Sequence, residues 1–225
     1  MNNCKCKNGL CTLNIPLFKN LDLDIQEKLV KNAIYLDKKV DDILLYENDK
    51  VESVLIIREG RVKLNKYDKE GKEYILDILH DGDTIGENLL VEGVLSNYNV
   101  ICITNVKICE IKISALLEIF KEKPEVALNL INVLITKLNQ ANRNLELLHE
   151  NDAMMRIIKF FIDRYERLQE KELKLTIDDI AASINLRRET VSRKITELQK
   201  LGLIKREGHK SIYINDINGL KNYNN

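Results

Sequence analysis

Seven residues, Ala127, Ile131, Leu134, Leu138, Ala141, Leu145 and Leu148, follow one another in alternating steps of four and three. That spacing draws a single apolar line along one long helix, the a/d seam of a coiled coil. It divides the chain into a part before the helix and a part after it. Pro124 suits the first turn of such a helix. Polar residues beside the line, Asn139, Gln140 and Asn142–Asn144, favour a parallel pairing of two copies. A helix laid on its own domain produces a similar stripe.

Before the seam, Ile15–Phe18 opens a small helical segment. Asp24 is a candidate cap for a helix whose apolar face holds Ile25, Leu29, Val30, Ala33 and Ile34. Residues 40–113 carry short apolar runs at Ile43–Tyr46, Val54–Ile57, Val62–Leu64, Tyr74–Leu79, Val100–Ile103 and Val106–Ile111. Turn residues separate them, as in Glu59-Gly60, Asp68–Gly71 and Asp81-Gly82-Asp83. Short strands at this spacing predict an antiparallel roll or jelly roll. Ser114 is placed to cap a short helix running to about Phe120.

After the seam the periodicity changes. Met154, Ile157, Ile158, Phe160, Phe161 and Tyr165 mark a helix, and the polar segment Glu166–Lys174 follows. Thr176 caps a second helix with Ile177, Ile180, Ala181 and Ile184 inside, and Asn185 ends it. A third helix, from Leu186 to Ile204, has the apolar stripe Val191, Ile195, Leu198 and Leu201. Leu203–Ile214 folds about Glu207-Gly208-His209 as a hairpin. Helix, turn, helix and hairpin make a winged helix-turn-helix. The final Asn222–Asn225 is expected to fray.

The third helix of this part carries Arg187, Arg188, Glu189, Ser192 and Arg193 at its start. Net charge over the chain is zero, with 35 basic and 35 acidic residues. Residues 185–210 hold eight Lys/Arg against three Asp/Glu, so positive charge is concentrated where a phosphate backbone needs it. In a helix-turn-helix the second helix enters the major groove with its N-terminal residues at the bases. Arg188, Glu189, Ser192 and Arg193 share one face. Arg can donate to guanine O6 and N7, and a carboxylate can accept from cytosine N4. Glu189 and Arg193, four apart, are spaced to hold each other. A solvated charged face is the ordinary meaning of such a cluster, but a Glu facing phosphates is repelled unless it reads a base.

Residues 176–204 resemble the DNA-binding motif of the cyclic AMP receptor / fumarate-nitrate reductase regulator (CRP/FNR) family. Arg188-Glu189-Thr190-Val191-Ser192-Arg193 fits its R-E-T-[VI]-[GS]-R core. The resemblance extends over residues 15–215. It implies an α+β architecture: an N-terminal cyclic-nucleotide-binding-like β-roll, a long dimerisation helix, and a C-terminal winged helix-turn-helix. The corresponding segments are a Cys-rich leader at 1–14, a roll at 15–123, the helix at 124–150 and the DNA-binding domain at 151–225. It also implies a homodimer on double-stranded DNA, RNA polymerase as a partner, and Glu189 and Arg193 as shared base readers. Arg188 matches the cyclic AMP branch and Ser192 the oxygen-sensing branch. The expected target is a palindrome with GTGA- or TGA-like half-sites, about one helical turn apart. Asn185 replaces the usual turn Gly, and Arg187 the usual Ser/Thr cap.

Gly82-Asp83-Thr84-Ile85-Gly86-Glu87 resembles the opening of the family's cyclic-nucleotide cassette, which makes Gly86 and Glu87 the effector-pocket candidates. Nucleotide binders follow it with an Arg-Ser pair for the cyclic phosphate. This chain has Asn97-Tyr98 there, and no Lys or Arg between Tyr74 and Asn105. A buried phosphate needs a cation or a set of donors, so cyclic AMP is not the expected effector.

Cys4, Cys6 and Cys11 stand in a leader that has no apolar pattern to pack them. The oxygen-sensing branch ligates a [4Fe–4S] cluster with three leader cysteines and one in a C-E-I segment of the roll. Cys109-Glu110-Ile111 occupies that place, and four thiolates suffice for a cluster. The C-x-C-x4-C spacing departs from the family's leader, so a thiol switch, zinc, or no sensing role stay open. Cys102 and Cys109 are also read as buried strand residues. The leader has no signal-peptide core, and the apolar stretch around 126–138 is broken by Asn129, Asn132 and Lys137. A cytoplasmic chain without membrane association is therefore expected, with reduced thiols or metal ligands.

The expected function is a transcription regulator responding to redox, oxygen or nitrosative signals. A small-molecule effector in the roll and a constitutive DNA binder are the alternatives. A cupin-like enzyme is a remote one, because His80 alone offers a His ligand inside the roll while His149 and His209 lie elsewhere. A winged-helix interaction module that does not read DNA is opposed by the Arg188/Glu189/Arg193 face.

Overall fold

A computed structural model describes residues 15–18, 21–31, 33–86 and 95–223. The chain divides into two compact units. The first ends at Asn139 and the second begins at Gln140, with Lys72–Ile75 counted to the second.

The first unit starts with a 3-10 turn, Pro16–Phe18, and α1, Leu23–Lys31. Among the described residues, eight strands follow: β1 (Ile34–Lys38), β2 (Ile43–Leu45), β3 (Ser53–Glu59), β4 (Val62–Tyr67), β5 (Glu73–Leu79), β6 (Thr84–Ile85), β7 (Asn99–Cys102) and β8 (Val106–Lys112). They form two four-stranded sheets ordered β1-β8-β3-β6 and β2-β7-β4-β5. Leu45, Ile57, Val62, Leu79, Ile85, Val100, Cys102, Val106 and Ile108 come from both sheets and make one buried interior. The period-2 alternation of strands sends their neighbours to the other face. There Val54, Ile56, Cys109 and Ile111 pack with Ile15, Leu17, Phe18, Leu29 and the helix α2 (Ile113–Glu122). Strand β8 is thus covered on both faces, which is why its burial does not alternate.

The second unit holds α4 (Ala153–Leu168), β9 (Glu172–Leu173), α5 (Ile177–Ser183), α6 (Arg188–Lys200), β10 (Ile204–Glu207), β11 (Ser211–Ile214) and α7 (Ile217–Lys221). Helix α6 packs on α5, α4 and β10. The three strands form an antiparallel sheet ordered β10-β11-β9. Helix α3, Glu125–His149, is the long helix the heptads demand.

Several details differ from expectation. Helix α1 begins at Leu23, so Asp24 lies in its first turn and is not its cap. Ala33 and Ile34 lie past its end, and Ile34 opens β1, which pairs with β8 from Ile34↔Glu110 to Lys38↔Val106. Ser114 does not cap α2. The helix starts at Ile113, so the cap position is Lys112, whose ammonium has no acceptor to offer the helix start, and the Ile113 N–H donates to Glu52 O at 2.9 Å. Pro124 stands one residue ahead of α3. The polar segment 166–174 contains β9, whose Leu173 and Glu172 pair with Ile212 and Tyr213. Near the C-terminus, α7 is capped by Asp216 and pinned by buried Leu220.

Candidate nucleic-acid interface

The interface is built from the start of α5. Thr176 Oγ1 accepts from the Asp179 N–H at 3.0 Å, and the Asp179 carboxylate accepts from the Thr176 N–H at 3.0 Å. This reciprocal capping box satisfies two donors that a helix start leaves unpaired. Helix α5 ends where Asn185 takes φ 49°, a left-handed conformation that Asn tolerates better than most side chains. The Leu186 N–H reaches back to Ala181 O at 3.0 Å, closing the turn. Arg187 then occupies the cap position of α6 with no side-chain cap bond, as the sequence predicts.

Helix α6 buries Val191, Ile195 and Leu198 at 0%, 1% and 0% exposure. The fourth member of the predicted stripe, Leu201, is 58% exposed, because it is the C-cap residue and the chain turns away there. The opposite face carries exposed Arg187, Arg188, Glu189 and Arg193, with Ser192 half-buried among them. All five predicted DNA-facing residues therefore lie in one region. The predicted Glu189–Arg193 ion pair is not formed among the described residues. Arg188 is held instead: its Nη1 donates to Asp178 of α5, at 2.7 Å to Oδ2 and 3.0 Å to Oδ1. Asp178 was not legible as a partner, because the rest of α5 and the turn after it lie between the two.

A second residue escaped sequence reasoning. Arg156 of α4 donates through Nε to Glu150 O at 2.9 Å and through Nη1 to Ile184 O at 3.2 Å. One guanidinium thus ties the carbonyl just beyond α3 to the carbonyl at the end of α5. Glu150 accepts from Lys159 on its carboxylate. That bond, followed by the Asp152 backbone N–H, holds the Glu150 carboxyl below its usual pKa. In the same unit, Asp163 of α4 accepts from Gln140 at 3.0 Å and pairs with Arg143 at 3.3 Å. The hairpin β10–β11 turns at Gly208, with exposed His209 and Lys210 at its tip, while Lys205 is paired to Glu207.

The line along α3 is open. Ile131, Leu138 and Leu145 are 50%, 60% and 57% exposed, and Leu134, Ala141 and Leu148 are also exposed. Leu128 and Ile135 are exposed as well, which widens the apolar line over the first half of the helix.

In the roll, Gly86 takes φ 94°, and a Cβ there would lie 2.9 Å from Ser53 O. Backbone geometry alone therefore requires this glycine. Glu87 lies outside the described residues, as do Cys4, Cys6 and Cys11. Cys109 is wholly buried on β8, opposite Tyr35 and Ile56. It suits one ligand place in a thiolate set: its thiol has no hydrogen bond or ion pair among the described residues. It also belongs to the core cluster of Ile15, Leu17 and Phe18, the segment that follows Cys11. Packing accounts for its burial equally well. Cys102 suits that set poorly, since burial, reinforced by Asp42, pushes its thiol up to about 11. Among the described residues no three His, Cys, Asp or Glu side chains are grouped to hold a metal ion. No described helix is long and apolar enough to cross a membrane.

Two family profiles match the chain. The cyclic nucleotide-binding domain matches residues 38–123 and the Crp-like helix-turn-helix domain matches residues 155–223. The chain is similar to a CRP-like cAMP-activated global transcriptional regulator of Mycobacterium tuberculosis, 26% identical over 89% of this chain and 92% of that one. It is similar to an anaerobic regulatory protein of Haemophilus influenzae, 25% identical over 94% and 84%. Its fold matches that of FixK2 from Bradyrhizobium japonicum with a TM-score of 0.76, at 24% identity over 84% and 96%.

Proposed function

The chain belongs to the CRP/FNR family of DNA-binding transcription regulators, and from that premise we propose that it works as a homodimer on a palindromic site. Each copy presents α6 to one half-site of TGA- or GTGA-like sequence. The observation that carries this reading is the division of α6 into a wholly buried apolar stripe and an exposed Arg188/Glu189/Arg193 face. Glu189 accepts from a cytosine N4 and Arg193 donates to a guanine or a phosphate. The open line on α3 supports pairing, since a heptad seam of exposed Ile and Leu is stabilised by a second copy. Selection of sites from a random duplex library tests the reading. Glu189→Ala relaxes one C·G position by ~1–3 kcal/mol, and an unchanged preference in that variant refutes the role of Glu189.

The signal we propose is redox, oxygen or nitrosative chemistry at the cysteines rather than cyclic AMP. Three thiols crowd a short leader, and the matched relatives include a protein named for anaerobic regulation. Cys4, Cys6, Cys11 and Cys109 are the set that would hold a [4Fe–4S] cluster, which supplies an oxygen-labile group when bound. The stretch from Tyr74 to Asn105 has no Lys or Arg to meet a cyclic phosphate. An effector shifts the regulator only by binding its DNA-competent and incompetent states differently. Iron and sulfide analysis after anaerobic purification tests the cluster, and a colourless, iron-free protein removes it. Calorimetric titration with cyclic AMP tests the exclusion, which micromolar binding overturns.

A further inference from the structure

Asp178 sits in the first turn of α5 and takes Arg188 Nη1 between its two oxygens, at 2.7 Å and 3.0 Å. The pair uses a single nitrogen of the guanidinium. Arg188 has no other hydrogen bond among the described residues, so Nε–H and Nη2–H remain available. Those two donors share one edge of the planar group and match the O6 and N7 acceptors of guanine. Asp178 is not needed to cap α5, because Thr176 and Asp179 do that. The helix dipole favours an acid in this turn, yet it does not account for the reach across to α6. A carboxylate beside a duplex is repelled by phosphates. Keeping Arg188 on Asp178 avoids that repulsion, whereas releasing Arg188 exposes it.

We propose that Asp178 is a positioning residue that holds Arg188 for guanine, so that each half-site carries a selected guanine besides the base pair read by Glu189. This rests on the DNA reading proposed above. Anchoring one nitrogen orders the side chain before binding and leaves its reading edge free. The half-site is then of the longer, GTGA-like kind, and the length of the recognised sequence depends on a residue outside the recognition helix.

Site selection from a randomised duplex library, run with the full-length protein and with Arg188→Ala, Asp178→Ala and Asp178→Asn, tests the assignment. Arg188→Ala identifies the guanine position as the one whose preference disappears. Asp178→Ala lowers that preference about fivefold, the effect of leaving one rotamer-rich side chain to be ordered on binding. Asp178→Asn, which keeps an acceptor oxygen, lowers it less. The preference tied to Glu189 is unchanged in both, and overall affinity does not fall, because a negative charge has left a phosphate-facing surface. An unchanged guanine preference in Asp178→Ala overturns the proposal. An increased one overturns it too, since Asp178 would then withhold Arg188 from the bases. So does a uniform loss of affinity with preferences intact, which marks a structural role. If the unaltered protein selects no sequence at all, it is the DNA reading that fails, and this proposal goes with it.

Discussion

Helices α3 and α6 carry the same kind of apolar stripe and treat it in opposite ways. On α6, Val191, Ile195 and Leu198 are closed off completely by α4, α5 and β10. On α3, Ile131, Leu138 and Leu145 keep half or more of their surface. A stripe that closes inside its own domain frees the other face of the helix for a ligand. A stripe left open along a heptad line calls for another chain. Periodicity gives the stripe in both cases, and burial separates the two uses.

The contrast breaks most readily at Ile195. Ile195→Ala removes buried methyl groups from a closed core and costs ~2–5 kcal/mol of stability, read as a fall in the denaturant midpoint of the DNA-binding unit. Leu138→Asp combined with Leu145→Asp places charge on the open line. This pair converts the proposed dimer to monomer in sedimentation velocity while helical circular dichroism is retained. A doubly charged variant that stays dimeric places the subunit contact elsewhere, and a neutral Ile195→Ala contradicts the closed core.

Local signals made much of this legible. Thr176 was readable as the cap of α5, and the structure adds the reciprocal bond to the Asp179 carboxylate. Asn185 at the turn and Arg187 at an uncapped helix start were likewise readable from residue type. What stayed hidden depends on contacts distant in sequence. Strand β1 has a polar end, Asp37-Lys38, and exists because β8 pairs with it. Strand β9 owes its place to β11. The Asp178–Arg188 pair and the Arg156 tie to Ile184 O join different helices, and no periodicity encodes them. Leu201 continued the stripe in sequence but not in space, since α6 ends one residue before it. Gly86 was read from its motif as an effector-pocket residue, and the structure supplies a steric reason for the glycine that the motif did not show: a Cβ there would meet Ser53 O whatever the roll binds.

A smaller effect sharpens the α6 side. Thr176→Ala removes the side-chain acceptor for the Asp179 N–H and costs ~0.5–2 kcal/mol. Thr176→Ser keeps that acceptor and restores most of the loss. Because α5 supports the buried stripe of α6, the loss shows in thermal melting of the whole unit. Sequence preference in site selection is unaffected, which distinguishes a support residue from a reader.

The smallest effect concerns the segment where α3 hands over to α4. The carboxyl of Glu150 is held below its ordinary pKa by Lys159 and by the Asp152 backbone N–H. A lowered folded-state pKa means that the unfolded chain binds the proton more readily. The contribution is therefore complete at neutral pH and is lost as pH falls from about the ordinary value of 4.5 through the depressed one. Glu150→Gln removes the titration, so the stability of the variant falls less steeply on acidification below that value than that of the unaltered protein. Arg156 meets Glu150 at its backbone carbonyl and is untouched by this change. The tie to Ile184 O consequently survives in the variant, and DNA binding at neutral pH remains at the unaltered level. A loss of binding in Glu150→Gln at neutral pH would mean that the carboxylate, and not the carbonyl, carries the link from the end of α3 to the turn before α6.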